Sequence, residues 1–218
     1  MKAPRIARMK TILLLFYVLV TAQTLVAQSK GKVLMILRIS GTSVLVNGKS
    51  DPGFTDFMLT KEAQVMKAML NEAGFDVLTA TPSGELIKGS TASLQPDFKL
   101  DDVQTSDYVG VIVPCMGSND PPIPKAVEIV SQAWQSGKPL GAQMGGVFTL
   151  GAAGVLKGKQ FACQPGDAHW IPDGTYAGIG VVVDGKAVTS GTCPYMAKAL
   201  NKPDGTAELT KKFIALIQ

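Results

Sequence analysis

The chain has 218 residues, of which 46% are hydrophobic and 17% charged. That length and balance fit one globular domain with a sizeable core and exclude a disordered chain. The formal net charge is +4, but the excess lies in residues 1–27, which hold Lys2, Arg5, Arg8 and Lys10 and no acid. The rest carries basic and acidic side chains in equal number, 17 of each, which excludes a basic nucleic-acid footprint.

Residues 1–27 have the layout of a secretory signal peptide. A basic start leads into an apolar run over 11–27, which closes on Leu25, Val26 and Ala27 before polar Gln28 and Ser29. The alternative is an uncleaved membrane anchor. The run is short for a spanning helix, and Thr21, Gln23 and Thr24 weaken its second half. No cysteine stands at the junction, so lipid attachment is not expected. The expectation is an exported protein, periplasmic or secreted, free of the membrane after cleavage, with 28–218 as the folded domain.

The run KVLMILRIS from Lys32 reads as a strand buried on both faces. A polar, glycine-bearing loop is expected over 41–57. In DFMLTKEAQVMKAMLNEAGF, residues Val65, Met66, Met69, Leu70 and Ala73 form one helical stripe, and Gly74 is placed to end it. A short strand follows over 76–80, then a turn at 82–84. Residues 84–107 are weakly patterned and predict an excursion with an edge strand or small helix over 98–103. YVGVIV at 108–113 is another buried strand, closed by Pro114. Pro121, Pro122 and Pro124 open a helix with an apolar face of Ala126, Val127, Val130, Ala133 and Trp134, stopped by Gly137.

Next comes PLGAQMGGVFTLGAAG, a short apolar run that meets a glycine-rich corner and then a small-residue helix. This is the layout of a nucleophile elbow, where a strand turns abruptly into a helix and lifts one side chain above the sheet. The apex is Met144, whose thioether cannot act as an acyl-transfer nucleophile. A strand over 159–163, a hairpin turning at Asp184 and Gly185, and a terminal helix over 209–217 complete the chain. Strands alternating with helices give an α/β domain with a mainly parallel sheet and a late β-hairpin. Ligands in such sheets gather at the carboxyl ends of the strands.

There are three cysteines, Cys115, Cys163 and Cys193. An exported compartment permits a disulfide, and Cys163 with Cys193, both near the ends of late strands, is a plausible pair that the sequence leaves open beside free thiols. No C-x-x-C or histidine-rich spacing exists, so neither structural zinc nor any cofactor is expected. Convergence of Cys115, Met116, Met144 and Cys193 would give a soft sulfur set suited to Cu(I), though no spacing demands it.

In order and spacing these segments resemble the DJ-1/PfpI (ThiJ) superfamily, related to class I glutamine amidotransferase domains. The resemblance covers roughly residues 31–217. It is carried by KPLGAQMGG through GAAGVLKGK at 138–159, by EAGFDV at 72–77, by DY leading into VIVP at 107–114, and by VDGKAVT at 183–189. It implies a flavodoxin-like three-layer sandwich. Counting twelve residues back from Gly74 places the family's acidic residue on Glu62. The family's nucleophilic cysteine falls on Met144, the histidine after it on Gly145, and a second histidine on Gln164 before Pro165. The loop whose backbone N–H faces the site falls on Pro114, Cys115 and Met116.

The implied pocket is therefore Glu62, Cys115, Met116, Met144, Gly145, Gln164 and Cys193, with the acid kept and the nucleophile and both histidines gone. Met144 either plugs the vacated pocket or offers a thioether to a ligand. Glu62 is either a buried acid with a raised pKa or an exposed carboxylate near a helix start. Cys115 is the alternative nucleophile, against which stands an inert buried thiol. Asp167, His169 and Trp170 suggest a rim or packing role before an acid–base pair. The leading expectation is a pseudo-enzyme, or a protein of altered chemistry, that binds a small molecule or serves in stress. The alternative is a hydrolase, amidotransferase-like or glyoxalase/deglycase enzyme using Cys115. Family members often form homodimers, and the 41–57 or 84–107 loops would serve such an interface.

Overall fold

The central strand β1 (Lys32–Ile36) is apolar on both faces because both faces are covered. Leu34 and Ile36 point into one apolar cluster, while Val33, Met35 and the following Leu37 point into another. The computed structural model describes residues 28–39, 45–46, 49–117 and 121–218. The expected signal segment 1–27 lies outside the described residues.

Beside β1 lie β2 (Asp76–Thr81), the edge strand β3 (Phe98–Lys99), β4 (Tyr108–Val113), β5 (Leu140–Gln143), β6 (Val181–Asp184) and β7 (Ala187–Ser190). Among the described residues the main sheet has seven strands in the order β6-β7-β5-β4-β1-β2-β3. Every pairing is parallel except β6 with β7. The chain is thus an α/β sandwich with a mainly parallel sheet, flanking helices and a late hairpin.

Helix α1 (Pro52–Met58) starts where Asp51 accepts a 2.9 Å hydrogen bond from the Phe54 N–H, with proline at the first turn. The expected loop over 41–57 therefore ends earlier, at this cap. A π-turn (Leu59–Ala63) connects directly to α2 (Gln64–Glu72). Its wider winding turns Leu59, Glu62 and Ala63 inward together. Met66 and Leu70 of the predicted stripe are buried, and Gly74 ends the helix at φ 94°.

On the opposite face lie α3 (Pro124–Gln135) and α4 (Gly145–Ala152). The buried residues of α3 are Ala126, Ile129, Val130 and Ala133. Ile129 thus takes the inward place expected of Val127, which keeps the 3.6-residue period with Ala126 and Val130. Helix α5 (Pro194–Leu200) was not expected from the pattern, and α6 (Thr206–Ile217) extends the expected terminal helix. Phe213 of α6 lies tight on the sheet, where a Cβ on Gly110 would fall 2.9 Å from its ring.

Two expectations are corrected. The strand over 159–163 shrinks to Gln160–Phe161, which leaves the main sheet and pairs with Thr175–Tyr176. The hairpin loop is Gly185 and Lys186, because Asp184 pairs across from Ala187 and belongs to the ladder. Asp184 instead accepts from the Gln160 N–H at 2.9 Å. No helix among the described residues is long and apolar enough to cross a membrane.

Candidate functional site: a thiol site beside a methionine elbow

The corner after β5 is a true elbow. Met144 sits at φ 44° and ψ −111°, a conformation a bulky residue adopts only when its surroundings hold it. Its N–H donates to the Ser190 carbonyl at 2.7 Å, and its carbonyl accepts from the Val147 N–H at 2.8 Å. Gly146 is required by close approach, since a Cβ there would lie 2.1 Å from the Val113 carbonyl oxygen. The Met144 side chain is buried in one apolar cluster with Cys115, Met116 and Cys193.

Glu62 is fully buried at the end of β4. Its two carboxyl oxygens accept from the Cys115 N–H and the Met116 N–H, each at 2.8 Å. Burial, and then the nearby Cys115 charge, hold its pKa well above the carboxylate range despite those two donors. Glu62 is therefore the buried acid, and the exposed alternative falls away.

The loop 114–117 turns sharply, with Met116 at φ 51° and Gly117 at φ 67°. This turn directs the N–H groups of residues 115 and 116 at Glu62. The Cys115 side chain lies in the same buried cluster as Cys193 and Met144. The Cys193 hydrogen bond lowers the Cys115 pKa most, burial opposes it, and the Gly145 N–H, the Arg38 charge and the Gly117 N–H lower it further, to about 6. Cys193 is pushed the other way, first by donating to Cys115 and then by its own burial.

Two anchors fix this arrangement. Arg38 is buried and donates through Nη2 to the Cys115 carbonyl at 3.0 Å. Gln143, next to the elbow, donates to the Thr192 carbonyl at 2.5 Å and to the Thr206 hydroxyl at 3.1 Å. The residue before Met144 thus holds the residue before Cys193. Sequence reasoning missed Arg38, although a lone cation inside the apolar run KVLMILRIS is a signal that something buried opposes it.

The Cys163–Cys193 disulfide left open by the sequence is not formed, and all three thiols are free. Cys163 packs in the cluster on the α3 and α4 face, whereas Cys193 packs in the cluster on the α2 and α6 face. The sheet separates them. Burial, then Asp167, push the Cys163 thiol up to about 11.

Gln164 stands apart from the Glu62 shell. It lines a cleft of about 460 Å³ with Pro122, Phe148, Trp170 and Ile171. The His169 ring nitrogen Nδ1 lies 2.7 Å from the Gly166 carbonyl, and the ring stacks near Trp170. It does not pair with Asp167, so these residues form a rim. Among the described residues no cluster of three or more His, Cys, Asp or Glu side chains is gathered for a metal ion.

The DJ-1/PfpI family model matches residues 52–202, a span that includes Glu62, Cys115, the elbow and Cys193. The chain belongs to the DJ-1/PfpI family. A protein of Archaeoglobus fulgidus with no assigned function is 33% identical over 128 residues, which is 56% of this chain and 75% of that one. The fold is similar to that of a ThiJ/PfpI domain protein from Brachyspira murdochii, with a TM-score of 0.63 at 13% identity over 87% of this chain and 97% of that one. It is also similar to Drosophila melanogaster DJ-1beta, with a TM-score of 0.59 at 20% identity over 86% and 91% of the two chains. The elbow geometry in this chain carries Met144, a side chain with no proton to lose.

Proposed function

We propose that this is an exported DJ-1/PfpI protein of altered chemistry, in which a thiolate at Cys115 stands in for the nucleophile missing from the elbow. The observation that carries this reading is the place of Cys115: buried in one cluster with Met144 of the elbow, its N–H held by Glu62 and its carbonyl by Arg38, with Cys193, two backbone N–H groups and the Arg38 charge lowering its pKa. A thiolate, not a thiol, is the nucleophile, and fixed donors keep it ionised near neutral pH. Its substrate class is a small electrophile, either a carbonyl compound of the kind the glyoxalase and deglycase reading implies, or an oxidant. The export part of the proposal rests on the composition of residues 1–27.

Iodoacetamide labelling of the native protein at neutral pH, followed by peptide mapping, tests this reading. Rapid modification confined to Cys115 is expected. Loss of methylglyoxal consumption in Cys115→Ser, with retention in Met144→Ala, would identify the carbonyl class. Labelling that requires denaturation would overturn the thiolate site.

A second reading rests on its own observation. Met144 is 4% exposed and Cys115 2%, as expected of a plugged pocket. A pseudo-enzyme would then bind a small molecule in the cleft beside Phe148 and Trp170, which is concave and mostly apolar. Ligand-dependent quenching of Trp170 with no thiol reactivity would favour it.

A further inference from the structure

The cleft at Gln164 lies on the α3 and α4 side of the sheet, whereas Cys115 packs on the other. Three segments wall it: the prolines that enter α3, the second half of α4, and the loop 164–173. Its volume of about 460 Å³ is that of a small-molecule site.

The loop wall is fixed in place. Ala168–Trp170 form a single tight turn, in which the Trp170 N–H donates to the Asp167 carbonyl at 3.1 Å and the Ile171 N–H to the Ala168 carbonyl at 3.0 Å. Ile171 is buried against α4 at Gly151, where a Cβ would fall 2.8 Å from its side chain. The Gly158 N–H donates to the Asp173 carbonyl at 2.7 Å and ties down the far end. Trp170 is thereby held at the open side of the cleft with 69% of its surface exposed. Core packing does not call for an indole there, since that exposure leaves a large apolar ring in water. His169, which does not line the cleft, packs beside the ring at 4.8 Å between centroids and is itself tied to the Gly166 carbonyl.

Three charges stand around this apolar space: Asp167, Asp173 and Lys157. Among the described residues none of them is in an ion pair. Asp167 is half-buried on the fixed turn, whereas Lys157 is exposed and its flexible stem lets the ammonium turn out to water. The cleft therefore presents two carboxylates and an electron-rich indole, and its one cation is easily withdrawn.

We propose that this cleft binds an organic cation with an apolar body, an amine whose ammonium is taken by Asp167, Asp173 and Trp170 and whose body packs on Phe148 and Ile171. The inference rests on the reading of this cleft as a binding site and holds whether or not Cys115 is reactive. An ammonium beside carboxylates and an indole is attracted by both the charges and the ring quadrupole. A ligand carboxylate in the same place meets two like charges.

The test is calorimetric titration of the full chain with 4-phenylbutylamine, 4-phenylbutanol and 4-phenylbutyrate, which share one apolar body and differ in the charge of the end group. The amine is expected to bind roughly 10-fold more tightly than the alcohol, and the butyrate most weakly. Added salt should narrow the gap. The double variant Asp167→Asn, Asp173→Asn should bring the amine close to the affinity of the alcohol, with alcohol binding kept. Ala152→Trp, which fills the cleft from α4, should abolish binding of all three. An alcohol that binds as tightly as the amine, or a butyrate that binds more tightly, overturns the cation preference and leaves the cleft as a binding site. If none of the three binds, or if Ala152→Trp binds the amine as wild type does, the cleft reading itself falls and takes the inference with it. The ranking in wild type needs no variant, so a poorly folding Ala152→Trp would not blur it.

Discussion

Cys115 and Cys163 are both buried cysteines at the ends of strands, yet their environments push them in opposite directions. Cys115 meets three hydrogen-bond donors and a buried guanidinium and drops to about 6. Cys163 meets apolar side chains and the Asp167 charge and rises to about 11. Burial alone raises a thiol pKa. The difference teaches that the loop 114–117, with its donors aimed at one sulfur, outweighs desolvation on one face of the sheet while nothing opposes it on the other.

The largest expected effect is on alkylation. At pH 7 native Cys115 should react roughly 10- to 100-fold faster than Cys163, since its greater ionisation exceeds its weaker intrinsic nucleophilicity. Mass-resolved labelling kinetics check this, and equal rates would erase the contrast. Next is Glu62→Ala, which leaves the N–H groups of Cys115 and Met116 without their acceptor. A loss of about 3 kcal/mol is expected in urea unfolding, together with a rise of the Cys115 labelling midpoint as the loop relaxes. Met144→Ala should cost about 2–4 kcal/mol through the cavity it opens, with the Cys115 midpoint kept. A midpoint that moved would make Met144 part of the thiol environment and not a plug.

The pH dependence of stability separates the buried groups by sign. The Glu62 carboxyl is raised above 4.5 in the fold, so its contribution is complete below the ordinary carboxylate range and is lost as pH rises through the folded value. Wild type should therefore lose ground to Glu62→Gln as pH rises. Cys115 is lowered from 9.0 to about 6, so its contribution is complete above 9.0 and is lost as pH falls through 6. Cys115→Ser should abolish that second slope. The smallest effect is expected at Trp170, which is 69% exposed; Trp170→Ala should change stability by less than about 0.5 kcal/mol.

Most of the fold is legible in the sequence because burial on both faces leaves continuous apolar runs, as in KVLMI and YVGVIV, and glycines mark the stops. Helix α5 is not, because PYMAKAL is too short to show a period. The strand over 159–163 misleads because one apolar run suits a small ribbon as well as the main sheet. In the site, Glu62 and Met144 are legible through the family spacing. The grouping of Cys115 with Cys193 is legible too, but the turning of Cys163 away from both is not. Which sulfurs meet depends on which face of the sheet each turns to, and a shift of one residue reverses that. The π-turn that aims Glu62 inward leaves no sequence signature in LTKEA.

The central claim is that one buried sulfur carries a negative charge at neutral pH. Ultraviolet absorbance of the thiolate, followed across pH as the difference between wild type and Cys115→Ser, measures it directly. The account predicts one thiolate titrating with a midpoint near 6 and absent from the variant. A midpoint near the ordinary thiol value of 9.0, or no difference between the two proteins below it, would contradict the account.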